Sequence, residues 1–135
     1  MNITDFDSLL QAAKKQPQPQ RLLFVFLNAE LPKDANARQV MEFEMGMGGN
    51  LRPVMCVDKS PNELTNFDAL EAESAGMGQA WSMMLVGALS GRNGMPPSDQ
   101  EVEKALKNMI QAVEGGQDLS CYLAMDRKGL PIQFG

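Results

Sequence analysis

Two stretches of this chain are almost continuously apolar: residues 21–27, Arg-Leu-Leu-Phe-Val-Phe-Leu, and residues 81–89, Trp-Ser-Met-Met-Leu-Val-Gly-Ala-Leu. Both are far short of the roughly 18 residues that span a bilayer as a helix. Apolar runs of this length, bounded by turn-forming residues, read as strands covered on both faces. Such strands are central in their sheet, and the rest of the chain is expected to supply helices packed against it.

The helices are legible from their spacing and their caps. Residues 4–15 place Ile3, Phe6, Leu9, Leu10 and Ala13 on one stripe, with Thr4 as a cap and Pro17 and Pro19 as a stop. A short helix over 35–44 carries Val40, Met41 and Phe43 and runs into Gly46-Met-Gly-Gly-Asn50. Residues 53–58 form a second strand, with Pro53 tolerated at its first position. Ser60-Pro-Asn-Glu63 is a capping box. A helix over 66–78 follows, with Phe67, Leu70, Ser74 and Met77 on one side. Ser98 and Glu101 form another capping box, and Val102, Ala105, Leu106, Met109, Ile110 and Val113 make the clearest amphipathic stripe in the chain, ended by Gly115-Gly116. Alternation over 119–125, a turn at Asp126-Arg-Lys-Gly129 and a return over 130–134 complete the order α1-β1-α2-β2-α3-β3-α4-β4-β5. The expectation is one globular domain over 1–135, of α/β class (α+β being possible), with a mixed sheet of about five strands. Helical crossovers favour parallel pairing and the final hairpin is antiparallel.

Composition removes several chemistries. The 135 residues contain no histidine, which excludes Ser-His-Asp and Cys-His catalysis and any imidazole metal ligand. Two cysteines cannot build a four-cysteine zinc site. Twelve Lys and Arg against 17 Asp and Glu leave a net charge of −5, which argues against nonspecific nucleic-acid binding. The first residues, Met1-Asn-Ile-Thr-Asp-Phe-Asp7, carry acids where a secretory signal carries a basic segment. A cytoplasmic protein is expected, with Cys56 and Cys121 as inert core thiols inside strand-like runs.

Two segments stand out as candidate binding surfaces. Ser90, Gly91, Arg92, Asn93 and Ser98 follow a strand and precede a helix start, the context in which backbone amides and an arginine hold an anion. No Gly-Lys-Ser/Thr follows, so the segment is not a P-loop. Met41, Met45 and Met47 surround the glycines at 46–49, where adaptable side chains on a yielding backbone suit contact with a partner. Carboxylates at Glu63, Asp68, Glu71 and Glu73 read as a solvated helix face. Asp58-Lys59 and Asp126-Arg127 read as ion pairs at the sheet end.

The segments Pro19-Gln-Arg-Leu-Leu-Phe-Val-Phe-Leu-Asn-Ala-Glu-Leu-Pro32, Pro53-Val-Met-Cys-Val-Asp-Lys-Ser-Pro61, Ala88-Leu-Ser-Gly-Arg92 and Asp126-Arg-Lys-Gly-Leu-Pro-Ile-Gln-Phe-Gly135 resemble a family of small bacterial proteins of about this length. Its members often carry the label "ribonucleotide reductase subunit alpha". The label does not suit this sequence. That enzyme needs a barrel several times longer. Its thiol chemistry also takes three cysteines, where this chain has two. The resemblance implies no catalytic residue, metal or cofactor. The sequence points to a non-catalytic binding or adaptor domain that meets a protein partner or a second copy of itself, with no nucleic acid and no membrane. The alternative is a small anionic ligand, or a minor enzymatic activity, at the 90–98 loop.

Overall fold

A computed structural model describes residues 3–30, 34–44, 50–78, 80–115, 117, 119 and 121–132. Its elements are α1 (Phe6–Lys14), β1 (Gln20–Glu30), α2 (Ala37–Glu44), β2 (Asn50–Lys59), a single 3-10 turn (Pro61–Glu63), α3 (Phe67–Gly76), β3 (Met83–Ser90), α4 (Asp99–Glu114), β4 (Leu123–Asp126) and β5 (Pro131–Ile132). The five strands form one sheet in the order β2-β1-β3-β4-β5.

The two apolar runs occupy the positions their composition requires. Both β1 and β3 have a neighbour on each side, and alternate residues feed two separate cores. Leu22, Phe24, Phe26, Met84 and Val86 face Phe6, Leu9 and Leu10 of α1 and Leu70 of α3. Leu23, Val25, Leu27, Met83 and Leu85 face Val102, Met109 and Val113 of α4. A strand that serves two cores has no place for a polar side chain, which is why these runs lack the usual alternation.

Strand pairing departs from the mixed sheet that helical crossovers suggest. All four pairings are antiparallel. The reason lies in β1. Both β2 and β3 run antiparallel to it, so the two strands joined through α3 do run the same way, but β1 lies between them. The eight-residue α2 joins strands that are adjacent and antiparallel, so it is not a crossover. This arrangement is the α+β form of the predicted architecture.

Capping chemistry sets the helix starts. Asp5, rather than Thr4, caps α1: its carboxylate accepts from Ser8 N at 2.8 Å while Ser8 Oγ accepts from Asp5 N at 3.1 Å. Ser98 and Glu101 form the predicted capping box on α4. Met77 lies just past the end of α3 and is exposed instead of joining the stripe of Phe67, Leu70 and Ser74.

The outer strands carry two irregularities. Phe26 pairs with Met55 and Leu27 with Pro53, so Val54 is an extra residue in β2. This bulge is why consecutive residues Val54 and Met55 both pack on the α1/α3 core, while Leu51 and Cys56 reach the α4 core. At the opposite edge, the two-residue β5 begins with Pro131. The preceding turn needs Gly129, which has φ of +76° and packs so closely that a Cβ would sit 3.0 Å from the Phe67 ring.

β4 begins at Leu123, four residues later than the alternation at 119–125 predicts. Tyr122 N donates to Leu119 O at 3.0 Å, a local turn that competes with the ladder. Cys121 is therefore exposed, a correction to its expected place in the core. Cys56 is half-buried, and burial, followed by the nearby Asp58 carboxylate, raises its thiol pKa. In the native protein Cys121 is expected to label promptly with a disulfide reagent and Cys56 slowly, with both fast in urea. Two fast thiols or two slow ones would contradict this placement. Among the described residues no helix is long and apolar enough to cross a membrane.

Candidate functional site

The 90–98 segment starts where β3 ends. Arg92 and Met95 pair through two backbone bonds, Arg92 N to Met95 O at 3.0 Å and Met95 N to Arg92 O at 2.9 Å. Between them Asn93 has φ of 54° and Gly94 φ of 76°. Left-handed values at both central residues define a primed turn, for which Asn-Gly is the favoured pair. Gly91 is buried because the chain doubles back on it: an added Cβ would overlap the Met95 carbonyl oxygen. This glycine allows a close backbone approach, a role distinct from the phosphate cradle its sequence context suggests.

Apart from the Asn93 side-chain amide, the groups named for holding an anion in this loop have partners within the chain. Gly91 N donates to Pro19 O at 2.7 Å, and Gly94 N donates to Gln18 Oε1 at 2.8 Å. Ser90 Oγ accepts from Gln20 Nε2 at 2.9 Å. Ser98 Oγ accepts from Glu101 N at 3.1 Å in the helix cap. The Glu101 carboxylate accepts from Ser98 N at 3.2 Å and from Arg92 Nη2 at 3.0 Å. Those bonds, the Ser98 backbone bond first, hold its pKa below the ordinary carboxylate value. Arg92 is thus drawn to the α4 cap through Glu101. Its side chain remains 79% exposed, so this ion pair contributes little stability. The structure brings Arg92 and Ser98 together, while Ser90 turns toward β1 and Asn93 stands at the tip.

Beside the turn lies a cleft of about 370 Å³, lined by Lys14, Pro17, Gln18, Pro61, Asn62 and Gly94 among others. Sequence reading missed it because three distant segments build it. The one signal was the alternation Gln16-Pro-Gln-Pro-Gln20, whose prolines end α1 and mark the bend that leads into β1.

The proposed partner surface is described only in part. Asn36 caps α2, accepting from Gln39 N at 2.9 Å, while Gln39 Oε1 accepts from Asn36 N at 2.9 Å. Met41 is 62% exposed. Val40 is half-buried, yet neither it nor Met41 belongs to either core. Met45 and Met47, and the side chain of Phe43, lie outside the described residues.

Three of the four carboxylates named around α3 have partners, while Asp68 is exposed. Glu73 meets Lys59 Nζ at 2.8 Å, Glu71 meets Arg127 Nη2 at 3.0 Å, and Glu63 caps Ser60. The adjacent pairs expected at Asp58-Lys59 and Asp126-Arg127 do not form. Asp58 instead meets Arg21 at 3.2 Å, and Asp126 Oδ1 accepts from Lys128 N and Leu130 N to shape the hairpin turn. Arg127 also lies over the Trp81 ring, 4.1 Å from its centroid, while Trp81 Nε1 donates to Ser74 Oγ at 3.0 Å.

No protein-family model matches the chain, and neither a curated protein nor a solved structure does.

Proposed function

We propose that this chain is a non-catalytic binding domain that meets a protein partner through α2. The observation that carries the reading is the division of labour among the helices. Helices α1 and α3 cover one face of the sheet and α4 covers the other, whereas no described side chain of α2 enters either core. An eight-residue helix is too short to be stable on its own account. Its cap is built in full, and among the described residues Val40 and Met41 belong to neither core. Such a helix suits docking into an apolar groove on another protein, with methionine adapting to the surface it meets. A reducing, cytoplasmic setting accords with the two free thiols.

The test is affinity capture from native cells with three versions of the chain. Met41→Glu charges the α2 surface. Met95→Glu charges the 66% exposed methionine of the 92–95 turn. A species held by the wild type and by Met95→Glu, but lost with Met41→Glu, is the expected outcome. A species lost with both variants, or retained by both, would place the contact elsewhere.

A further inference from the structure

We propose that Asn93–Gly94 is a self-modification site, where the chain converts asparagine to aspartate or isoaspartate, and that Gln18 sets the rate. It is the sole Asn-Gly pair in the sequence. Both residues are exposed, and glycine leaves the following amide nitrogen unshielded by any Cβ. The Asn93 side chain has no hydrogen-bond partner among the described residues, so nothing there holds its amide carbon away from attack.

The chemistry needs only water. Gly94 N attacks Asn93 Cγ and forms a C–N bond. The nitrogen's proton goes to the departing amide group, the Cγ–NH₂ bond breaks and ammonia leaves. Water then opens the succinimide ring at one carbonyl or the other, delivering hydroxyl to carbon and hydrogen to nitrogen. Oxidation state is unchanged throughout. Opening at one side gives aspartate. Opening at the other gives isoaspartate, which adds a methylene to the main chain.

Two features of the fold restrain the first step. The Gly94 N–H donates to Gln18 Oε1, 2.8 Å away, which ties down the nitrogen that must attack. The Arg92–Met95 bonds hold both central residues in their left-handed conformations. Attack requires the Gln18 bond to break and the turn to open. Gln18 lies in the segment between α1 and β1, far from the turn in sequence, so the restraint exists only in the folded chain. Isoaspartate would lengthen a turn that has room for two residues and break the Arg92–Met95 pairing. Either product adds a negative charge one residue from Arg92.

The experiment incubates the full chain, warm and at mildly alkaline pH, and resolves aspartyl and isoaspartyl forms of the 92–95 peptide by mapping. Wild type is compared with Gln18→Ala, which removes the acceptor, and Gln18→Glu, which keeps one. Gln18→Ala is expected to convert about three- to tenfold faster than wild type, the factor that corresponds to one hydrogen bond of ordinary net strength. Gln18→Glu should stay near wild type, and all three should convert rapidly and alike in urea. Equal rates for folded wild type and Gln18→Ala would overturn the role of Gln18. No conversion in urea would overturn the site itself. Circular dichroism of each variant before incubation separates loss of the bond from loss of the fold, and Gln18→Leu, which removes the acceptor but keeps most of the side-chain bulk, carries the comparison if Gln18→Ala is unfolded.

Discussion

Phe24→Ala is expected to cost about 3–5 kcal/mol of folding stability, the range for a buried phenylalanine replaced by alanine. Phe24 is completely buried, lies in the middle of β1 between Val57 of β2 and Val86 of β3, and holds its ring 6.0 Å from that of Phe6. Removing it opens a cavity that α1 and three strands border, and none of them can collapse into it without losing register. A domain of this size has total stability of roughly 5–15 kcal/mol, so the variant should sit close to its unfolding transition. Leu106→Ala is the control. Leu106 belongs to the amphipathic stripe of α4 but is only half-buried, and its loss should move the urea midpoint clearly less. Equal shifts for the two variants would mean that the sheet centre is not the densest part of the core.

The second large effect belongs to Trp81, the only tryptophan. Its ring packs edge-on against Phe26 at 4.9 Å, the Arg127 guanidinium covers it, and its N–H is bonded to the buried Ser74 hydroxyl. Trp81→Ala should cost about 3–5 kcal/mol through lost packing. Ser74→Ala should cost about 1–3 kcal/mol, because the indole N–H is left buried without an acceptor. Measured in a Trp81→Phe background, the same Ser74→Ala change should cost less, since no indole N–H remains to strand. An identical cost in both backgrounds would show that the Ser74–Trp81 bond contributes nothing to stability. Tryptophan emission gives a direct readout for the single variant.

The sequence made the sheet and its helical cover legible because these depend on short-range patterns. The run at 21–27 has no polar residue after Arg21, so a two-sided strand was the available reading, and β1 bears it out with alternate residues in two cores. The Ser98–Glu101 box marked the start of α4 because capping needs only residues three apart. Strand direction was not legible. It depends on which strands become neighbours, and β1 inserts itself between the two strands that a crossover joins. At Cys121 the alternating pattern was real, but a local turn from Leu119 to Tyr122 took the backbone out of the ladder. The candidate loop shows the same division. Asn93-Gly94 forms a primed turn, a geometry that these two residues favour by themselves. The glycine-and-arginine anion reading did not include Pro19, Gln18 and Glu101, which occupy its donors from other parts of the chain. Glu73 and Glu71 likewise found partners on β2 and the last hairpin.

Sheets propagate when an outer strand offers its free amides to another chain, and that is how folded proteins seed fibres. In this fold each end of the row carries an imino acid: Pro53 sits in β2 beside the Val54 bulge, and Pro131 opens the very short β5. Proline has no proton to donate, and the bulge adds local twist, so among the described residues a flat incoming strand meets a broken template on one side and only two strand residues on the other. The molecule thereby acts as its own chain terminator, keeping a strongly apolar central sheet from growing at its margins.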